Sequence, residues 1–212
     1  MKIERIATAT IICCLVMVMG CSKGVYPEFF RGRYPNFKPG PEGGADLIYI
    51  NKKADLKRYK MIMLNVEFYY GSAAQYMAIH PDVNSDLSKA LKAAFADALG
   101  NAYPLVDKPR HDVLRIRIAI TGMVPLIPDS GTQTGMAVKD RPGKFASVGG
   151  ASMQAEILDS WTGERVGAVI DTKGGHKLTA VEVKDEWAHT KAAFKFWAER
   201  LRTWLDQTHD RR

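Results

Sequence analysis

Segments with helical and with alternating apolar spacing follow one another along this chain, and their order limits the folds open to it. Residues 61–70 and 113–120 alternate apolar and polar side chains, which is typical of half-buried strands. Residues 147–159 and 165–173 form two more candidate strands around Ser160-Trp161-Thr162-Gly163, a hairpin signal. Apolar residues recur at the helical period in residues 83–99 and 185–208. The predicted order is strand, helix, three strands, helix.

This order predicts an α+β fold. We expect a two-layer sandwich in which two helices cover one face of a mostly antiparallel, four-stranded sheet, and the other face is more polar. The small residues Ala90, Ala94 and Ala98 of the first helix predict close packing on the sheet, with little room for a cavity. Residues 122–143 form a long loop that either contacts a partner or is disordered.

The three cysteines, Cys13, Cys14 and Cys21, all lie in the first 21 residues. The rest of the chain therefore has no disulfide, thiolate metal cluster or cysteine nucleophile. No pair of the five histidines has a metal-binding spacing, and the chain has neither a G-x-S-x-G elbow nor a phosphate loop. We expect no catalytic residue, no metal and no cofactor, and we predict that the protein is not an enzyme.

The amino terminus has the pattern of a signal peptide. A short basic start precedes residues 6–19, fourteen residues without a charge, whereas a membrane-spanning helix needs about 20. The run ends in Val18-Met19-Gly20-Cys21, which resembles the lipobox of bacterial lipoproteins. That resemblance implies a signal peptide over residues 1–20, cleavage between Gly20 and Cys21, and lipidation of Cys21. An ordinary cleaved signal and a short membrane helix are the alternatives.

Residues 21–45 are predicted to be a lipidated tether rich in proline, glycine and aromatic residues, followed by a periplasmic domain over residues 46–212. A solvated linker would lack large apolar groups, so part of this segment is expected to dock on the domain as extended chain. In lipoproteins of this type an aspartate after the cysteine commonly marks inner-membrane retention. Ser22 therefore implies an outer-membrane protein that faces the periplasm.

The charge of the chain favours anionic surfaces but not nucleic acid. The formal charge of +7 becomes +6 (7 − 1) when residues 1–20 are removed, because they carry two cations and one anion. The basic residues are scattered, without a run of five or six, so we expect no nucleic-acid partner. The predicted partners are a membrane, through the lipid anchor, and an envelope protein.

Three side chains are candidate partner contacts. Phe196 points away from the apolar stripe of the second helix, and its alternatives are an accidental exposed aromatic, a contact with the docked tether, or a partner surface. Arg115 and Arg117 point outward from a strand. They form either a solvated ladder with cross-strand partners such as Gln154 and Glu156, or an anion-binding site.

Several short motifs in order resemble the bacterial lipoprotein family of domain of unknown function 3313. These motifs are Ala54-Asp55-Leu56 with Tyr59-Lys60, Ala98-Leu99 with Tyr103-Pro104-Leu105-Val106, Val113-Leu114-Arg115-Ile116-Arg117 before Val124-Pro125, residues 151–156, Leu158-Asp159 with Thr162-Gly163-Glu164, and Ala192-Ala193-Phe194 with Trp197-Ala198 and Leu201-Arg202. The resemblance runs from about Phe29 to the end of the second helix and excludes residues 128–144. It implies a periplasmic lipoprotein domain without catalytic residues.

Three functions are compatible with these observations. The first is a non-catalytic envelope protein that binds another envelope component, as an assembly or structural accessory. The second is a carrier of a lipid or another amphiphile, which needs a cavity between sheet and helices. The third is an envelope hydrolase, which needs His, Asp and Ser to meet in the folded chain.

Overall fold

A computed structural model describes residues 29–69, 81–128, 145–174 and 185–211. Within these ranges the chain forms six strands: β1 (Lys38–Pro39), β2 (Leu47–Ile50), β3 (Met61–Phe68), β4 (Val113–Pro128), β5 (Phe145–Asp159) and β6 (Arg165–Gly174). The same ranges contain the α-helices α1 (Pro81–Leu99) and α2 (Ala188–Thr208), and short 3₁₀ turns lie at Leu56–Arg58 and Gly100–Ala102.

All six strands join one mixed sheet, in the order β1-β2-β6-β5-β4-β3. Strands β3 and β4 pair in parallel, with Met61 opposite Val113, and all other neighbours are antiparallel. The predicted α+β class, the two helices and the meander β4-β5-β6 are confirmed. The prediction of four strands was wrong, because β1 and β2 are too short to show a clear alternation within a segment rich in proline and glycine.

The parallel pair follows from the chain connection. Helix α1 lies between β3 and β4 in sequence, and a strand–helix–strand crossover returns the chain to the same end of the sheet. Strands β4 and β5 are longer than predicted: β4 continues through a register shift between Ile120 and Gly122 as far as Pro128. Residues 122–128 are therefore strand rather than loop, and residues 129–143 of the predicted loop lie outside the described residues.

The main core lies between the inner face of the sheet and the two helices. The predicted stripe of α1 is buried through Leu87, Leu91, Phe95 and Leu99, and α2 contributes Ala193, Phe194, Trp197, Ala198 and Leu205. Arg202 of α2 donates hydrogen bonds to the carbonyl oxygens of Ala98 (3.2 Å) and Leu99 (3.0 Å). It thereby satisfies carbonyls that the carboxyl end of α1 leaves without helical partners.

The outer face of the sheet is covered by the described part of the predicted tether. Phe29 and Phe30 are buried against Ala119, Ala168 and Ile170. Farther along the tether, Phe30, Tyr34 and Phe37 pack edge-to-face on one another. The prediction that this segment docks on the domain is confirmed. The outer face is therefore less exposed to solvent than expected for the more polar face of a two-layer sandwich.

Candidate functional site

Arg117 on the outer face is buried, not solvated. Its side chain is only 9% exposed, and its guanidinium lies 4.7 Å from the centre of the Phe29 ring. It donates hydrogen bonds to Glu156 Oε2 (2.7 Å) and to the carbonyl oxygen of Phe29 (3.3 Å). The cross-strand pairing with Glu156 was predicted correctly, but the prediction of a solvated ladder was wrong, because the docked tether excludes water from the pair.

Glu156 is the centre of this cluster. Its carboxylate is fully buried and accepts hydrogen bonds from Arg117, from Arg165 Nε (2.9 Å) and Nη2 (2.8 Å), and from the backbone N–H of Arg31 (3.2 Å). Arg165 also donates to the carbonyl oxygens of Arg31 and Arg33. The two guanidinium groups therefore bind the tether and the glutamate together, and their hydrogen bonds are used within the chain.

Arg115 occupies a neighbouring position with a different partner. Its Nε donates to Asn65 Oδ1 of β3 at 2.8 Å. Burial lowers the pKa of Arg115, and the positive charges of Arg31 and Arg117 act in the same direction. Gln154 does not face Arg115 across the strands, since it is paired in register with Ala119.

Phe196 does not point away from the core as predicted. Its ring is half-buried, packs against the main core, and lines an apolar groove beside α2. Lys173 Nζ lies 4.6 Å from its centre and the guanidinium carbon of Arg200 lies 5.9 Å away. Because Phe196 is half-buried and Arg200 is exposed, these two lining residues lie where the groove opens to solvent, at its mouth.

This groove lies between α2 and the β2–β6 side of the inner sheet face, and its volume is about 440 Å³. It forms because two helices cover the middle of a six-strand sheet and leave the inner face of β6 and β2 partly open. Its lining is mostly apolar, and several of its large aliphatic and aromatic side chains are only half-buried. They include Ile48, Ile50, Val169, Phe196, Leu201 and Trp204.

One buried carboxylate lies at the end of the groove near Lys173. Asp171 accepts hydrogen bonds from Trp197 Nε1 (2.7 Å) and the backbone N–H of Asp46 (3.0 Å), and it pairs with Lys173 Nζ at 3.3 Å. Lys173 also donates to the carbonyl oxygen of Gly44 (3.0 Å). Asp171 therefore holds the β1–β2 connection against α2, and its charge is compensated.

The groove was missed from the sequence for a physical reason. Ala90, Ala94 and Ala98 do pack α1 closely, but they lie on the other helix and say nothing about the space beside α2. The sequence carries no clear signal for the groove, because all four residues of β2 are apolar. Ile48 and Ile50 face the groove, whereas Leu47 and Tyr49 face the cluster of Phe29, Phe30, Ala119, Ala168 and Ile170 on the other side of the sheet, the outer cluster.

Comparison with protein families assigns the chain to one of them. Residues 27–201 match the family described as protein of unknown function, DUF3313. The chain is a DUF3313 protein. This confirms the resemblance seen in the ordered motifs. No curated protein matches the DUF3313 chain.

This DUF3313 protein is also similar to solved structures, among them the two that follow. A PelC dodecamer from Paraburkholderia phytofirmans is 12% identical, with a TM-score of 0.42 over 73% of this chain and 95% of that chain. A Xanthomonas campestris protein of the DUF330 family is 11% identical, with a TM-score of 0.42 over 72% of this chain and 88% of that chain.

The predicted cleavage and lipidation residues, Gly20 and Cys21, lie outside the described residues. Within residues 29–69, 81–128, 145–174 and 185–211, neither helix is long and apolar enough to cross a membrane. In those same ranges no three histidine, cysteine, aspartate or glutamate side chains are grouped as metal ligands would be. The expected absence of a metal stays a prediction.

Proposed function

We propose that this DUF3313 protein is a lipid-anchored, non-catalytic binding protein of the bacterial envelope and that the groove beside α2 is its binding site. The observation that carries the proposal is the groove itself: about 440 Å³ of apolar space with half-buried walls. This volume lies in the range of about 300–1,000 Å³ typical of ligand pockets. Removing such an apolar wall from water lowers the free energy, so a ligand that covers it is stabilised.

The anchor is proposed from the amino-terminal pattern. The uncharged run of residues 6–19 and the sequence Val18-Met19-Gly20-Cys21 support cleavage before Cys21 and acylation of its thiol. Ser22 supports the outer membrane as the destination, with the domain in the periplasm.

The polar groups of the groove favour binding over catalysis. Asp171 already has three donors around its carboxylate, and the hydroxyl of Thr203 donates to the carbonyl oxygen of Glu199 at 2.9 Å. Neither group is paired with a histidine in the described lining of the groove. A hydroxyl nucleophile needs such a neighbouring base, and the carboxylate of Asp171 is already engaged by three donors, so this arrangement supports a non-catalytic role.

In-cell photo-crosslinking tests the proposal with the complete, acylated chain. A photoreactive amino acid at Ile48 faces the groove, and the same group at Tyr49 faces the outer cluster of the same strand and is the matched control. We expect an adduct at position 48 that is absent at position 49. A protein-sized adduct would indicate an envelope protein and a lipid-sized adduct an amphiphile, whereas equal or absent labelling at both positions would refute a binding groove.

A further inference from the structure

The groove is elongated along α2. Its lining runs from Phe196 to Gln207, which corresponds to about 16 Å of helix at about 1.5 Å per residue. A straight ligand of that length can lie in the groove along α2.

The floor of the groove disfavours an extended peptide. It is formed by apolar side chains of β4, β5 and β6, including Ile118, Ala155 and Val169, and the backbone groups of these strands are paired within the sheet. A peptide inserted here would bury its own N–H and C=O groups without partners, which is costly. An acyl chain carries no such groups.

The mouth of the groove supplies positive charge. Lys173 and Arg200 both contact the ring of Phe196, and Arg200 is exposed. Among the described residues, no carboxylate forms an ion pair with Arg200, and the nearby Asp171 is already matched by Lys173 and two N–H donors. An anionic group at the end of a bound chain would find its counter-charge here.

We propose that the groove binds the acyl chain of a free anionic amphiphile, whose head group pairs with Arg200. This inference rests on the proposed function, because it names the ligand class of the same groove. It gives the apolar walls and the exposed Arg200 beside them one common role.

A chain-length series tests the apolar part. The mature chain, residues 21–212 with Cys21→Ser, is titrated with straight-chain carboxylates of 8 to 16 carbons. Binding is followed by tryptophan fluorescence, since Trp197 and Trp204 line the groove. We expect one site whose Kd falls up to about fourfold per added methylene, equivalent to about 0.8 kcal/mol, until the groove is full. Affinity that does not change with chain length would overturn the proposal.

Two substitution pairs test the geometry, each variant being checked for native thermal unfolding. Arg200→Glu should weaken hexadecanoate binding about fivefold or more and leave hexadecanol within about twofold. Lys195→Glu, an exposed cation of α2 outside the groove lining, should leave both unchanged. Ile48→Trp should reduce binding of both ligands at least tenfold, and Tyr49→Trp should not. Where Arg200→Glu does not fold, Arg200→Gln takes its place. Equal losses for hexadecanoate and hexadecanol in the Arg200 variant would exclude the head-group contact.

The outcomes separate this inference from the function it rests on. A protein-sized crosslink at Ile48, together with no binding of any carboxylate, would leave the binding protein standing and overturn the amphiphile. A crosslink within the acylated protein to its own Cys21 chains would also overturn it, because the occupant would then be the anchor. A lipid-sized crosslink with the predicted Arg200 effect supports both.

Discussion

At the scale of single residues, Glu156 has the largest structural role on the outer face. Its fully buried carboxylate receives two guanidinium groups from the neighbouring strands and one backbone N–H from the docked tether. Both guanidinium groups also donate to carbonyl oxygens of the tether, so the cluster joins the sheet to it. A buried ion pair adds little net stability compared with an apolar pair, but removing one partner leaves buried charge without compensation.

We therefore predict that Glu156→Ala lowers the free energy of unfolding by about 3–5 kcal/mol, measured by urea denaturation. The control is Asp112→Ala, which removes an exposed pair with Arg110 and should cost less than about 1 kcal/mol. Similar losses in the two variants would contradict the role assigned to Glu156.

Asp206 makes the stability of the folded protein depend on pH in the acid range. Burial alone would raise the pKa of Asp206, but hydrogen bonds from Arg202 (2.6 Å) and the Tyr103 hydroxyl (3.0 Å), with the charges of Arg202 and Arg211, lower it below its usual value. A carboxylate whose pKa is lowered by folding stabilises the folded state above its unfolded pKa of about 3.9. This contribution is lost as the pH falls through the lowered pKa.

Asp206→Asn should accordingly be less stable than the parent at pH 7, with the difference shrinking between about pH 5 and pH 2. Urea unfolding at several pH values measures this difference. Asp97→Asn removes the same charge from an exposed position of α1 and is the matched control. A gap between Asp206→Asn and the parent that stays constant with pH would show that Asp206 does not act through its charge.

At the scale of elements, consecutive glycines shape β5 where it meets α2. Gly149 and Gly150 have φ values of +70° and +152°, and a Cβ on Gly150 would lie 2.5 Å from the carbonyl oxygen of Lys173. The carbonyl oxygen of Gly150 accepts a hydrogen bond from Thr190 Oγ1 at 3.0 Å. Close approach of β6 and the first turn of α2 both depend on this backbone.

Gly150→Ala is therefore expected to lower stability by about 2 kcal/mol or more. Gly122→Ala in the neighbouring strand is the control, because its Cβ would lie 3.5 Å from Ser152, an ordinary contact, and should change stability by less than about 1 kcal/mol. Thermal unfolding of both variants measures the difference. A larger loss at Gly122 would contradict this assignment.

The helices and strands differ in how well the sequence predicts them. Long periodic segments such as α1 and the first part of β4 were predicted closely, because one strongly apolar face determines each. The pairing of β2 with β6 was not predicted, since the four residues Leu47–Ile50 are too few to show the alternation that indicates a strand. The groove followed from that pairing, so it could not be predicted either. The buried state of Arg117 depended on where the tether docks, which local pattern does not encode.

At the scale of the whole molecule, the sheet is covered by helices on one face and by the tether on the other. The tether thus belongs to the fold from Phe29 onward. Its burial was partly predicted from five aromatic residues in a segment otherwise rich in proline and glycine.

The proposed anchor gives a prediction at this scale. Cys21→Ser should either accumulate as an unprocessed, full-length form or leave the membrane fraction, since no thiol remains for acylation. Fractionation with mass spectrometry of the amino terminus measures both. Ser22→Ala, which keeps the cysteine, is the control and should mature and remain with the membrane. Normal maturation and membrane retention of Cys21→Ser would refute the lipoprotein assignment.

Hydrogen bonds of Glu156, Arg117 and Arg165 fix the chain to the sheet near Phe29. They therefore limit how far the domain can move from the proposed anchor. Only residues 22–28 separate that point from the proposed acylated cysteine, so even a fully stretched link spans no more than about 29 Å. A domain joined to its anchor by so short a linker would stay beside the lipid surface and would not reach the opposite membrane. Any amphiphile delivered to the groove would be collected at the bilayer that holds the protein.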